Sequence, residues 1–443
     1  MSARPVALLL ACLTLPAQAL PTISTWQTGN GARVLFVEAR ELPIVDASVV
    51  FDAAAAHDGD RPGLARLVSG LLAEGADGLS ADAIAERFAE LGASFGSTSL
   101  RDMASVDLRS LSDRATLTAA LGLASRILAR PDFPEDALER VREQMLVALQ
   151  QVEQSPDDLA EREFFRAVYG RHPYASPPEG TVASVRALTR EDVRAFYGRY
   201  YTARNAVVAI VGDLDRAGAE RVAETLVGAL SRGEPAAALP PVTPLAAAET
   251  VALEHPSTQT HLRLGQAALT RADPDYFPLY VGNHALGGSG LVSLLAEEVR
   301  EKRGLSYSVY SALAPMRAKG PFFVGLQTRN EQAAQALDVA LDTLRRFVKE
   351  GPTEQELEAA KRNITGGFAL RVDSNKKVLA QIASIGFYGL PLDYLATFTA
   401  RVDAVTRDAV RDAFQRHIDL DRLLTVLVGR PGAAGVATAR PAP

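Results

Sequence analysis

The chain has 443 residues, 47% of them hydrophobic and 23% charged, and a formal net charge of −6. That length exceeds what a single hydrophobic core organises, so two or more domains are expected. The acidic balance excludes a nucleic-acid role built on phosphate neutralisation, and no apolar run beyond the first few residues reaches membrane-spanning length.

Residues 1–19 read as an export signal. Arg4 is the only charge before an apolar run at 6–15, and Ala17-Gln18-Ala19 is a small-x-small cleavage site. Cleavage after Ala19 removes Cys12, the only cysteine, so the mature chain has neither thiol nor disulfide and relies on packing. A periplasmic address follows. Lipoprotein anchoring at Cys12 is the alternative, weakened because the apolar run continues past that residue.

Strand-like runs at 32–39 and 45–53 precede a helix that starts after Pro62, with Leu64, Leu67, Val68, Leu71 and Leu72 as its apolar stripe. Ser80 caps a helix to about residue 91, strands follow near 93–100 and 103–108, and helices near 114–128, 134–152 and 156–169. Thr189 to Asp192 is a capping box opening a helix, and 206–211 is a strand ending at Gly212. Residues 232–249, with four prolines and no aromatic residue, read as an interdomain linker.

The second half repeats the first. Residues 189–212 align without gaps on 406–429, and Thr189, Arg190, Val193, Arg194, Arg199, Val211 and Gly212 each meet an identical residue on the other copy. A repeat this long means two similar domains rather than a solenoid. Domains are expected at 20–231 and 250–430, with a disordered tail at 431–443. The second domain shows strands at 250–254, 258–265, 305–313 and 321–327. Its helices fall near 332–349, 353–370, 376–387 and 406–417.

One stretch, 283–311, carries the most specific signal. Gly287, Gly288 and Gly290 form a turn in which glycine opens backbone conformations closed to other residues. An amphipathic helix follows over 291–299, with Leu291, Leu294, Leu295 and Val299 on one face, and Gly304 stops it. Leu305, Tyr307 and Val309 then alternate with polar neighbours as a half-buried strand does.

This stretch resembles the second homologous domain of the insulinase-like (pitrilysin) zinc metallopeptidases, through Arg300-Glu-Lys-Arg-Gly-Leu-Ser-Tyr307 after a glycine loop. The resemblance implies an α+β fold of two homologous domains, each an antiparallel sheet packed with helices, facing each other as a clamshell. It implies that Arg300 and Tyr307 steady a scissile carbonyl, as a fixed cation and a neutral donor aimed at a developing oxyanion can. It also places Gly287, Gly288 and Gly290 beside the substrate.

Active members carry His-x-x-Glu-His on the first long helix of the first domain. Two His four apart hold zinc there, and the Glu between them is the general base. Aligned through Gly63-Leu64-Ala65, this chain has Arg66 for the first His, Ser69 for the base and Gly70 for the second His. The downstream ligand position falls near Ala148. The six histidines, His57, His172, His255, His261, His284 and His417, include no two that are three to five apart, and structural roles are expected for each. No metal is expected in this chain, and Arg66 is the candidate to fill the vacated space with its charge.

The chain thus keeps residues that polarise a carbonyl and lacks those that hydrolyse. The resemblance extends to heterodimers, the mitochondrial processing peptidase among them, in which one subunit carries zinc and the other a substrate-facing wall. The expected function is the zinc-free subunit of a periplasmic heterodimeric peptidase, inactive alone. Its expected partners are an HxxEH-bearing subunit, which holds the zinc, and a peptide, with a homodimer possible in the subunit's absence. The alternative is a non-enzymatic scaffold or peptide-binding protein of the same fold. A serine hydrolase has no Gly-x-Ser-x-Gly elbow to support it.

Overall fold

The computed structural model describes residues 22–430. The expected signal at 1–19, Cys12 and the expected tail at 431–443 lie outside the described residues. The first half begins with β1 (Ser24–Gln27), β2 (Arg33–Glu38), β3 (Ile44–Phe51) and α1 (Leu64–Leu71). A small hairpin, β4 (Gly75–Ala76) and β5 (Leu79–Ser80), leads into α2 (Ala81–Glu90), where Ser80 accepts from the Ala83 N–H. Then come β6 (Ser94–Ser99), β7 (Ala104–Leu111), α3 (Arg114–Ala129), α4 (Glu135–Gln154), α5 (Pro156–Tyr169), α6 (Val182–Ala187), α7 (Arg190–Tyr200), β8 (Ala206–Gly212) and α8 (Arg216–Val227).

The second half runs β9 (Glu249–Glu254), β10 (Gln259–Leu269), α9 (Tyr276–Asn283), β11 (Val309–Leu313), β12 (Gly320–Arg329) and α10 (Ala333–Glu350). It closes with α11 (Glu354–Gly366), α12 (Asn375–Tyr388), α13 (Tyr394–Asp403), α14 (Arg407–His417) and β13 (Leu424–Gly429). The first sheet is ordered β1-β2-β8-β3-β7-β6 and the second β11-β12-β10-β13-β9. Strand for strand, β6-β7-β3-β8-β2 matches β11-β12-β10-β13-β9, and β1 is an added edge. In both sheets the last strand lies parallel to the first of the shared set, β8 to β2 and β13 to β9.

The sequence repeat falls on α7–β8 and α14–β13. Thr189 and Thr406 cap the two helices by accepting from the Asp192 and Ala409 N–H groups. The shared terminal glycines have one cause: a Cβ on Gly212 would strike the backbone of Ile44 and Val45, and one on Gly429 that of Gln259 and Thr260. Each glycine lets its strand close against the neighbouring strand of its own sheet.

The two halves share their cores. On β2, Val34 and Phe36 pack under the first half's own helices, together with Leu67, Leu71 and Ile127. Leu35 and Val37 point the other way, onto Val378, Leu379 and Ile382 of α12 from the second half. Gly386 of α12 sits where a Cβ would hit Val207 and Leu35, so the helix lies close on the first sheet. The exchange is reciprocal: Ala160, Phe164 and Val168 of α5 pack on Val251, Leu424, Val426 and Val428 of the second sheet. This two-sided burial explains why β2, β8 and β13 read as continuous apolar runs rather than alternating ones.

A second tie joins the halves. The turn between β11 and β12 reaches into the first half, where the Arg317 guanidinium meets Asp52 at 2.8 Å and the Arg317 N–H donates to Asp102 at 2.7 Å. The Ala318 N–H donates to the Tyr174 hydroxyl at 3.0 Å. Asp102, 5% exposed, also accepts from the Tyr174 and Tyr388 hydroxyls. Asp52 accepts in turn from His57 at 2.6 Å.

Several expectations need correction. The helix expected over 291–299 is broken into a 3-10 turn at Gly290–Val292 and a π-helical turn at Ala296–Glu301. The strand expected from 305 begins at Val309, because its partner β12 pairs only from Val309 to Leu313, leaving Leu305 and Tyr307 ahead of it. The chain between α8 and β9, which contains the expected linker, lacks helix and strand. Leu239, Val242 and Leu245 pack near α5, and the Pro240 carbonyl lies 3.0 Å from His172 Nε2. Helices α6, α8 and α13 and strand β1 were not anticipated.

Candidate functional site

Two places hold the residues singled out in the sequence. The first is the face of α1. Its stripe of Leu64, Leu67, Val68 and Leu71 is buried, which turns Arg66 and Gly70 outward. Asp58 starts the helix, accepting from the Gly63 and Ala65 N–H groups at 2.8 Å each. Burial pushes the Asp58 carboxyl up to about 7, and those two donors oppose the rise.

Arg66 of α1 and Ala148 of α4 line one cavity of about 440 Å³, together with Arg101, Arg162, Glu161 and Glu179. The vacated space is therefore open, and Arg66 stands at its wall rather than filling it. Ser69 is 4% exposed, and its carbonyl accepts from Ser97 of β6 at 2.7 Å. Gly70 faces Val141, whose Cγ1 would lie 3.1 Å from an added Cβ. A guanidinium, a buried hydroxyl, a glycine and an alanine are not a zinc donor set, so the group that active relatives of this fold hold here does not fit. Glu139, nearby on α4, pairs with Arg142 at 3.1 Å.

The Arg101 guanidinium lies 3.8 Å over the Phe165 ring and donates to the Tyr174 and Ser176 carbonyls at 2.5 and 2.6 Å. Loss of water pushes the Glu161 carboxyl up, while Arg263 and Arg101 pull it down. No spacing motif marks Arg101 or Arg162. The only sequence signal for Arg101 is its position two residues past a strand, which the fold turns into a cavity wall.

Elsewhere, Asp273, Asp275 and His417 bring ligand atoms within 4.8 Å of one another. Arg416 already occupies both Asp275 oxygens at 2.8 and 2.9 Å and holds that carboxyl below its usual range. A cation bound there is this arginine.

The second place is the glycine turn and the segment after it. Gly290 has φ +66°, a left-handed conformation that suits glycine. Gly287 and Gly288 do not share it, which corrects the reason given for them. A Cβ on Gly287 would run into the Ser311 backbone N and Oγ of β11, and one on Gly288 would come 2.9 Å from Asn283 Nδ2. Gly287 serves close approach of the helix end to the edge strand, and Gly288 leaves room for the Asn283 side chain and carbonyl.

Arg300 lies in the π-helical turn, its guanidinium 5.1 Å from the centre of the Tyr307 ring and 3.5 Å from Glu301. Tyr307 is 78% exposed. The turn is held from behind by Glu298, which meets Arg303 at 2.7 Å, Lys302 at 3.0 Å and Arg346 of α10 at 3.4 Å. Arg303, first of these partners, brings the Glu298 carboxyl down to about 2. The chain thus brings Arg300 and Tyr307 together at the surface, while Arg66 and Ala148 share a cavity of their own.

A duplicated α+β chain with a degenerate metal helix defines a class: a peptidase-like fold without the hydrolytic centre. The comparisons agree on the family and the fold. A family model described as insulinase (peptidase family M16) matches residues 33–182, and one described as the peptidase M16 inactive domain matches 187–364. A solved structure of a peptidase M16 inactive domain from Pseudomonas fluorescens is 39% identical. It covers 95% of this chain and 100% of its own, with a TM-score of 0.89. An uncharacterized zinc protease of Mycobacterium bovis is 29% identical over 72% of this chain and 73% of its own. A protein of Helicobacter pylori named a non-peptidase homolog is 25% identical over 91% of this chain and 94% of its own. The chain belongs to the insulinase family of peptidases.

Proposed function

We propose that this chain is the zinc-free subunit of a heterodimeric metallopeptidase. Arg300 and Tyr307 serve peptide hydrolysis at a zinc held by an HxxEH-bearing partner, in the periplasm. The observation that carries the reading is the 78% exposure of Tyr307 beside a guanidinium. A tyrosine that buries so little contributes little to folding, and its hydroxyl is free to donate. A cation stacked on its ring keeps both groups in one place, and a preset pair of donors is what a developing oxyanion requires. Peptide enters as an added strand. The edge strand β6, SFGSTS, has one unpaired side and ends beside the 440 Å³ cavity, which Ser99 and Leu100 help to line.

The test is reconstitution with a homologous subunit that carries the zinc motif. The mixture is expected to cleave peptide and the lone chain not to. Tyr307→Phe and Arg300→Ala in this chain are each expected to lower turnover by about a hundredfold or more, the scale of a lost oxyanion donor. Their melting temperatures are expected to stay unchanged. Unaltered turnover in both variants would favour the scaffold, a reading that the shared cores of the two halves also suit.

A further inference from the structure

The cavity beside Arg66 is charged on both signs, yet its charges are not equivalent. Glu161 and Glu179 face the fixed guanidinium of Arg101, and Glu161 also faces Arg263. Arg263 is 3% exposed and anchored by Asp157 at 2.8 Å. Asp158 sits in the first turn of α5, where the helix dipole favours a carboxylate. Asp158 thus sits at a helix N-terminus, and the two glutamates lie in the field of Arg101 or Arg263 without an ion pair of their own among the described residues. Arg66 and Arg162 likewise make no ion pair among the described residues, and both line the cavity, so their guanidiniums are available to a ligand. The Ser99 Oγ on the same wall is buried with no hydrogen-bond partner. Phe165, Val152 and the Pro177-Pro178 step supply apolar wall, and about 440 Å³ falls within the usual range of ligand pockets.

We infer that this cavity is a carboxylate site for peptides, with Arg66 and Arg162 pairing the anion, Ser99 Oγ donating to it, and the apolar wall taking the adjoining side chain. Where an active relative would hold a metal, this chain holds the acidic end of a bound peptide. The inference rests on the reading that the chain binds peptides, and it names their class: those with a free C-terminal carboxylate or an acidic residue at the end. An arginine fork matches a carboxylate in geometry as well as charge.

The experiment uses the full chain and short N-terminally labelled peptides in three forms: free acid, C-terminal amide, and amide with a terminal Asp. Fluorescence anisotropy reads binding. A carboxylate form is expected to bind about tenfold tighter than the plain amide, the scale of one charged hydrogen-bonded pair. The Asp-amide form tells a side-chain carboxylate from a main-chain one. Arg66→Ala and Arg162→Ala are each expected to erase the difference with little change in melting, since Arg66 is exposed, Arg162 is half-buried and neither is ion-paired among the described residues. Arg345→Ala, an exposed position on α10 away from the cavity wall, is expected to preserve it. Equal binding of acid and amide overturns the inference and leaves the peptide-binding reading standing. Absence of binding by any form overturns both. Displacement of the acid peptide by inorganic phosphate as effectively as by unlabelled peptide makes the cavity a small-anion site and also overturns it.

Discussion

Glycines in one short run do different jobs, and substitution separates them. Gly290 needs only its left-handed φ, and nothing lies within 4 Å of an added Cβ, so Gly290→Ala is expected to cost about 1 kcal/mol. Gly287 has an ordinary φ, but the edge strand occupies the place of its side chain. Gly287→Ala is expected to cost about 3 kcal/mol, as overpacking against backbone does. Chemical denaturation of the two variants checks the order; Gly290→Ala emerging as the more damaging would show that the turn, not the helix-to-strand contact, is the demanding feature. The sequence shows three glycines and cannot show this difference. Positive φ is a local property, whereas the contact at Gly287 depends on Ser311, which only the sheet brings near. The same limit hid Arg101 and Arg162. Arg66 and Ala148 were reachable because the helix motif has a fixed spacing to count from, while a cavity wall drawn from α4, α5 and two loops has none.

Among the elements, the regular helices and strands were legible where one face is buried. The apolar stripe of α1 and the caps at Ser80 and Thr189 gave start and period together. The segment carrying Arg300 was not. Its apolar spacing suits an α-helix, yet the turn widens to π geometry over Ala296–Glu301. Leu295, Ala296 and Val299 are all buried there, among the second half's core, and local periodicity does not report that demand. π turns gather at functional sites. What fixes this one is Glu298, and its acidity gives a test. The folded carboxyl sits at about 2, below its ordinary value of 4.5, so the folded state favours the charged form. Its contribution is fully present above the ordinary glutamate value and is lost as pH falls from there toward 2. Glu298→Gln is therefore expected to lower stability by about 1 to 2 kcal/mol at neutral pH, discounted for the exposed partners. The gap between variant and wild type is expected to close on acidification. A gap that stays constant down to pH 3 would mean that Glu298 holds the turn by packing, not charge.

At the scale of the whole molecule, the duplication hides an exchange. Two similar halves joined by a proline-rich stretch suggest two units that could fold apart. Instead α12 covers the open face of the first sheet and α5 that of the second, and the β11–β12 turn is bound by Asp52, Asp102 and Tyr174. A half made alone would leave Leu35, Val37, Val50, Ala209 and Val211 uncovered, an apolar face that water does not tolerate. The full chain is thus expected to melt in one calorimetric transition. Asp102→Ala leaves two phenols and an N–H without their acceptor. It is expected to lower that single transition by about 3 kcal/mol without splitting it. Residues 22–231 produced alone are expected to bind a hydrophobic dye and melt without cooperativity, and to regain a sharp transition when mixed with residues 232–430. Should the first half melt sharply by itself, at the temperature of the full chain, each sheet would be self-sufficient and the exchanged helices mere packing. If it does not, the two halves cannot open widely to admit substrate. Entry must then come along an exposed sheet edge such as β6, beside the cavity rather than between parting halves.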